Sequence, residues 1–313
     1  NEIISIGGLF GGTYALCTET LTRFGIITHF FDVDEFEAIE NAINENTKII
    51  FLESVGNPNM RLPDIKRVAQ IANSAGVVFM VDNTITPMSI APLKLGADIV
   101  VYSTTKIISG NASALGGCAV FRAINDGEDK FKTPRYKWME NFIKGAGKMA
   151  LIANTKKRAM RDFGMSANAN ASYLTMLGLE TLPLRMDRVI KSIEIIAKEL
   201  DANGLNINHP CLTKHPHHER YLNDFKDGCG TLFTIDMETK ERAYAFLSKS
   251  KLATLTANIG DSRTLALHMG STIYRDFDEE TKKFLGITDG LIRVSIGLEN
   301  PQDIIEDFLA AAK

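Results

Sequence analysis

Lys106 closes Ser103-Thr104-Thr105-Lys106 after the apolar run Ile99-Val-Val-Tyr102, an unusual place for a cation. A lysine is costly to bury unless it is paired or neutralised. At the carboxyl end of a parallel strand, where α/β folds place their ligands, its amine can condense with a carbonyl. Ser103 and Thr105, on one face of an extended segment, then offer two hydroxyls suited to a phosphate. Alone, the same residues also fit an exposed lysine opening a loop. Asp82 changes the weighing. It ends Val77-Val-Phe-Met-Val81, five apolar residues that suggest a strand buried on both faces. The alternative is a turn residue in Asp82-Asn-Thr84. An acid and a lysine at two strand ends match what pyridoxal 5'-phosphate requires. A carboxylate keeps the pyridine nitrogen protonated, and a lysine carries the aldehyde as an imine.

Three more positions join this pair. Phe10 lies between Gly7-Gly8 and Gly11-Gly12, glycines that let the backbone come close while a flat ring stacks on a pyridine. A core phenylalanine is the plainer reading. Asn57, beside Pro58 after the strand Ile49 to Leu52, offers an amide to a phenolic oxygen, or is an ordinary Asn-Pro loop. Arg293, in Leu291-Ile-Arg-Val-Ser-Ile-Gly297, suits bidentate recognition of an amino-acid carboxylate. A surface arginine on an edge strand has the same pattern.

The elements that must hold these residues are legible as alternation. Strand patterns at Glu2 to Ile6, Ile26 to Phe31, Lys48 to Glu53, Val77 to Asp82 and Asp98 to Tyr102 alternate with helix patterns at Thr13 to Phe24, Glu35 to Asn44 and Asp64 to Ala75. Such alternation predicts a mostly parallel sheet covered by helices. After Phe121 the segment Asn125 to Tyr136 is charged and loop-like, and helical patterns run from Trp138 to Ala202. From His209 short strands and helices return, which predicts a large domain over 1–200 and a smaller α+β domain over 201–313.

The chain's 313 residues, 45% of them hydrophobic, suffice for a large core. A net charge of −3 offers no basic patch, so nucleic acid is not an expected partner. No apolar run reaches the roughly 18 residues of a membrane span. Cys17, Cys118, Cys211 and Cys229 are far apart and read as reduced, buried thiols of a cytoplasmic protein. In Lys214-His-Pro-His-His-Glu219, Pro216 breaks any helix that would align the histidines, so a solvated loop is expected and no metal site.

Several blocks in order resemble the Cys/Met-metabolism family of pyridoxal-phosphate enzymes, the trans-sulfuration enzymes. They are Phe10-Gly-Gly-Thr-Tyr14, Glu53-Ser-Val-Gly-Asn-Pro58, Val81-Asp-Asn-Thr84, Gly96 to Lys106, Gly178 to Met186 and Ile292 to Glu299, and they cover nearly the whole chain. The resemblance implies an aspartate aminotransferase-like, fold type I architecture. It implies that Lys106 bonds the cofactor, Asp82 pairs with the pyridine nitrogen, and Ser103 and Thr105 hold the phosphate. Asn57 would approach the cofactor and Arg293 would bind the substrate carboxylate. The stacked ring is usually a tyrosine in this family, whereas here it is Phe10. Stacking survives that change but acid–base work by a phenol does not, which weakens a lyase reading.

The segment Ala257 to His268 is most similar to the sulfhydrylase version of the family, as is the long stretch between Gly117 and Gly164. Asn258 is therefore expected to join Arg293 in holding the substrate. The implied reaction is γ-replacement, in which O-acetyl-L-homoserine loses acetate and gains sulfide to give homocysteine, with Lys106 moving protons at the α and β carbons. Cystathionine or methionine γ-lyase and cystathionine γ-synthase are the alternatives. A non-catalytic nucleotide-binding module using Gly7 to Gly12 is a reading of another class. The family further implies a homotetramer of dimers with shared active sites. It also implies a preceding segment with a Gly-Ser-Gly-Met phosphate nest and a Tyr-x-Arg, so half of the phosphate site is expected from residues outside this chain.

Overall fold

A computed structural model describes residues 1–313. The first sheet is built from β1 (Glu2–Ile6), β2 (Ile27–Phe31), β3 (Thr47–Glu53), β4 (Val78–Asp82), β5 (Ile99–Ser103) and β6 (Gly117–Phe121). Their order is β2-β1-β3-β4-β5-β6, and every neighbouring pair is parallel except the antiparallel β5–β6. Helices α1 (Gly11–Ala15, continued by irregular turns to Phe24), α2 (Phe36–Ala42) and α3 (Ile65–Ser74) supply crossovers. At the start of α3 the Asp64 carboxylate accepts from the Arg67 N–H at 2.9 Å, a side-chain cap on an otherwise orphan donor. Parallel strands all deliver their carboxyl ends to one edge, and this brings Glu53, Asp82 and Ser103 side by side.

Short helices α4 (Glu140–Ala146), α5 (Ala150–Asn154) and α6 (Arg161–Phe163) lead into the 34-residue α7 (Ala169–Ala202). The second sheet has the order β7-β8-β11-β10-β9, from Asn206–Asn208, Leu232–Asp236, Leu291–Ser295, Leu265–His268 and Thr254–Leu255 respectively. Helices α8 (His218–Asp224), α9 (Lys240–Lys249), α10 (Glu279–Leu285) and α11 (Pro301–Ala312) complete this half. Strand β11 is central, so Arg293 is on no edge. One core cluster of 48 residues runs from Ile4 to Ala311 and joins both halves, so the hydrophobic core does not break near residue 200. No helix is long and apolar enough to cross a membrane.

Three surface expectations are corrected. His215 and His217 are buried, not solvated. His217 Nδ1 accepts from the Leu62 N–H at 2.9 Å and its Nε2 lies 3.0 Å from Asp34, while His215 Nδ1 accepts from the His217 N–H. A local turn satisfies His215, the distant Leu62 and Asp34 satisfy His217, and no cluster of metal ligands forms. Cys118 is exposed, because β6 is an edge strand with its face open, whereas Cys17, Cys211 and Cys229 are buried. Charges in the loop after β6 are partly interior: Asp129 is buried, and the Lys130 ammonium donates at 2.8 Å to Asp98, buried just before β5.

Candidate active site

A cleft of about 560 Å³ opens where the carboxyl edge of the first sheet meets β11 and the loop before β10. Phe10, Glu53, Asn57, Asp82, Ser103, Lys106 and Arg293 all line it. Six of the eight residues singled out in the sequence, all but Thr105 and Asn258, therefore converge there from segments up to 283 positions apart (Phe10 to Arg293). Its size is that of a small-molecule pocket.

The lysine sits on a turn, not on an extension of the strand. β5 ends at Ser103, and Thr104–Ile108 coils back with a break at Lys106, whose φ is −92° and ψ −127°. That turn corrects the reading of one hydroxyl-bearing face. Ser103 points into the cleft, but Thr105 Oγ1 accepts from the Gly116 N–H at 3.0 Å and donates to the Gly116 carbonyl. The Lys106 ammonium or amine donates to Asn258 Oδ1 at 2.6 Å. The structure thus places the Asn258 side chain on the lysine. Burial, followed by the charge of Arg293, lowers the Lys106 pKa.

Arg293 is only 3% exposed. It donates to Asn57 Oδ1 at 3.1 Å and to the Asn258 carbonyl at 3.3 Å, and burial lowers its pKa to about 10. Asn57 therefore spends its oxygen on Arg293 and keeps its N–H₂ for the cleft. Asp82 accepts from the Thr84 N–H at 2.8 Å. Burial raises its pKa, opposed by the Thr84 hydroxyl and N–H. Glu53, which in the sequence is only the first residue of the Glu53-to-Pro58 block, lies beside Asp82 in register across β3 and β4. It accepts from the Phe10 N–H at 2.8 Å; burial first, then the neighbouring Asp82 charge, pushes its carboxyl well up. Phe10 is 37% exposed at the rim and is not core.

The cleft thus holds two basic groups bonded only to neutral oxygens and two carboxyl groups bonded only to neutral donors. Buried charge without a partner is costly, and a ligand of the opposite charges would relieve it. A protonated pyridine nitrogen suits Asp82, a carboxylate suits Arg293, and an aldehyde suits an amine that no acid neutralises. These residues fit pyridoxal phosphate.

Two braces were invisible as functions in the sequence. Arg185 of α7 donates to the carbonyls of Ile107 at 2.6 Å, Ile108 at 3.1 Å and Gly178 at 2.7 Å, pinning the lysine turn. Gly178 allows that approach, since a Cβ there would lie 2.4 Å from the Ile108 carbonyl oxygen. Only the presence of both residues in one block that resembles the family, Gly178 to Met186, hinted at them.

The family model for Cys/Met metabolism PLP-dependent enzymes matches residues 1–313. The chain belongs to this family. Among its relatives, homocysteine synthase of Schizosaccharomyces pombe is 35% identical over 99% of this chain and 75% of that protein. Cystathionine gamma-lyase of Bacillus subtilis is 32% identical over 98% of this chain and 75% of its own length. A solved structure from Campylobacter jejuni, described as an O-acetylhomoserine (thiol)-lyase with N'-pyridoxyl-lysine-5'-monophosphate, superposes with a TM-score of 0.94 at 33% identity. It covers all of this chain, which covers 77% of it. This Cys/Met metabolism enzyme therefore has the fold type I architecture and pyridoxal phosphate as cofactor. The nucleotide-module reading falls with that membership, and locally the Gly7 to Gly12 turn spends the Phe10 N–H on Glu53 rather than on a phosphate.

Proposed function

We propose that this protein is an O-acetylhomoserine sulfhydrylase of methionine biosynthesis. It joins O-acetyl-L-homoserine and hydrosulfide to give L-homocysteine and acetate: the Cγ–O bond breaks and a Cγ–S bond forms. The observation that carries this reading is the absence of a free phenol in the cleft. The aromatic ring lining the cleft is Phe10, while Tyr274 donates to the Leu9 and Asn57 carbonyls and Tyr14 Oη is bonded to Thr281. Lyase chemistry that leans on a phenol lacks its group, whereas replacement needs only a mobile proton at Lys106.

When bound, pyridoxal phosphate supplies the electron sink for bond changes at the substrate's α and β carbons. The chain's own part is positioning. Arg293, preset by Asn57 and Asn258, grips the substrate carboxylate as a fork. Phe10 covers one ring face, Asp82 pairs with the ring nitrogen, and Ser103 contributes a hydroxyl to the phosphate. Thr105 joins Ser103 only if its side chain leaves Gly116. Lys106 carries protons between the two carbons.

The assembly proposed is a cytoplasmic homotetramer of dimers with shared sites. Support comes from large exposed apolar side chains, with Leu115, Phe163 and Leu184 at 84%, 75% and 74%. The test supplies full-length protein with O-acetylhomoserine and sulfide, against methionine or cystathionine alone. Homocysteine from the first pair is expected. Release of 2-oxobutanoate without homocysteine would overturn the assignment in favour of a γ-lyase, and turnover of O-acetylhomoserine only with cysteine would indicate cystathionine γ-synthase.

A further inference from the structure

We propose that Asn258 is a positioning residue for Lys106: its side-chain oxygen takes one N–H of the free amine and aims the lone pair into the cleft. The inference rests on Lys106 being the cofactor lysine. It does not depend on which substrate the enzyme takes.

The geometry is direct. Lys106 Nζ donates to Asn258 Oδ1 at 2.6 Å, and no carboxylate competes for it. Ala257 and Ile259 line the cleft while Asn258 turns its side chain to the lysine. A lysine has four rotatable side-chain bonds, so a free amine wanders unless something holds it. An amide oxygen can accept from the neutral amine, whereas a carboxylate would favour the ammonium and occupy the lone pair with a proton.

Asn258 is itself held in place. Its carbonyl accepts from Arg293 at 3.3 Å, and the Gly260 N–H donates to Ser295 Oγ at 2.9 Å on the same central strand. Gly260 has φ +70°, and a Cβ there would lie 2.7 Å from the Ile107 nitrogen. Only glycine lets this loop press against the backbone next to Lys106. The same loop therefore sets the lysine and, through its carbonyl, the arginine. Around the amine stand Arg293, Asp82 and Glu53 from β11, β4 and β3, and all three remain unchanged in the variants below.

The experiment measures Lys106 directly. Full-length enzyme is stripped of cofactor, labelled with acetic anhydride across a pH series, and the Lys106 peptide is quantified by mass spectrometry. Asn258→Asp is expected to move the labelling midpoint up by roughly one to three pH units, because an opposite charge favours the ammonium. Asn258→Ala is expected to move it down, because the ammonium loses its acceptor. In the holoenzyme the visible band should shift its pH titration in the same two directions. Thermal melts identify a variant that fails to fold, and Asn258→Gln then stands in as the displaced-oxygen variant, with a downward shift expected. Midpoints equal to the parent's in all folded variants, with KM alone raised, would overturn the proposal and return Asn258 to substrate binding. Failure of the sulfhydrylase assay with these opposite shifts intact would sink the proposed substrate and leave this role standing.

Discussion

Arg185→Ala removes two hydrogen bonds from the turn that carries Lys106 and a third within α7. The guanidinium reaches the carbonyls of Ile107, Ile108 and Gly178 at 2.6, 3.1 and 2.7 Å, and burial lowers its pKa with no carboxylate to offset the cost. A hydrogen bond from a charged donor contributes about 1.5–3 kcal/mol net. Three bonds on one group do not add, and the side chain is only half-buried, so water recovers part of the loss. A total of about 3 kcal/mol is expected, against the roughly 5–15 kcal/mol of a typical domain, so the variant should still fold. The lysine turn, however, would lose its outer support. If half of the loss reaches cofactor binding, affinity falls about tenfold, since 1.4 kcal/mol corresponds to one decade. Arg185→Lys can reach at most one of the three oxygens and should fall between. Urea denaturation at unchanged slope gives the stability, and loss of visible absorbance on dialysis gives cofactor retention. A midpoint within about 0.5 kcal/mol of the parent, with retention unchanged, would refute the brace.

Other expectations concern protons and charge. Burial holds His209 down to about 3 and His215 to about 4. Both are neutral in the fold yet protonate near pH 6.5 when unfolded, so the unfolded state binds more protons as pH falls from about 6.5 to about 4. Stability should therefore be lost through that window, approaching ~2.7 kcal/mol per pH unit for the two rings together. Melting temperatures would show it, and His209→Gln with His215→Gln should flatten the curve; an unchanged slope would reject the account. Glu53→Gln should retain near-parent activity, since burial and the neighbouring Asp82 disfavour the charged carboxylate, while Glu53→Ala removes the acceptor of the Phe10 N–H and should cost about 1–3 kcal/mol. A loss beyond a hundredfold in the glutamine variant would show that the charge is required. Arg293→Lys loses the fork bonded to Asn57 and Asn258 and should raise KM about a hundredfold with the cofactor band intact, ~2.7 kcal/mol of lost binding. An unaltered KM would remove Arg293 from the substrate's carboxylate.

The sequence by itself determined the residues and their delivery to one edge. Apolar runs that end in Glu53, Asp82 and Ser103 are buried parallel strands, and parallel strands must present their last residues together. Burial of the lysine region and the family blocks were legible for the same local reason, since hydrophobic period and motif spacing are properties of the chain. What each side chain touches was not. Thr105 reads as Ser103's partner until the chain coils after β5 and gives its hydroxyl to Gly116. The histidines of Lys214 to Glu219 look solvated until Leu62 and Asp34, some 150 to 180 positions away, meet His217. Asn258, 152 positions beyond Lys106, reads as a substrate ligand until the loop closure at Gly260 lays its oxygen on the amine. Local pattern sets which elements form, because it follows from backbone geometry and burial. Hydrogen-bond partners far apart in sequence are chosen by packing, and only the tertiary structure decides them.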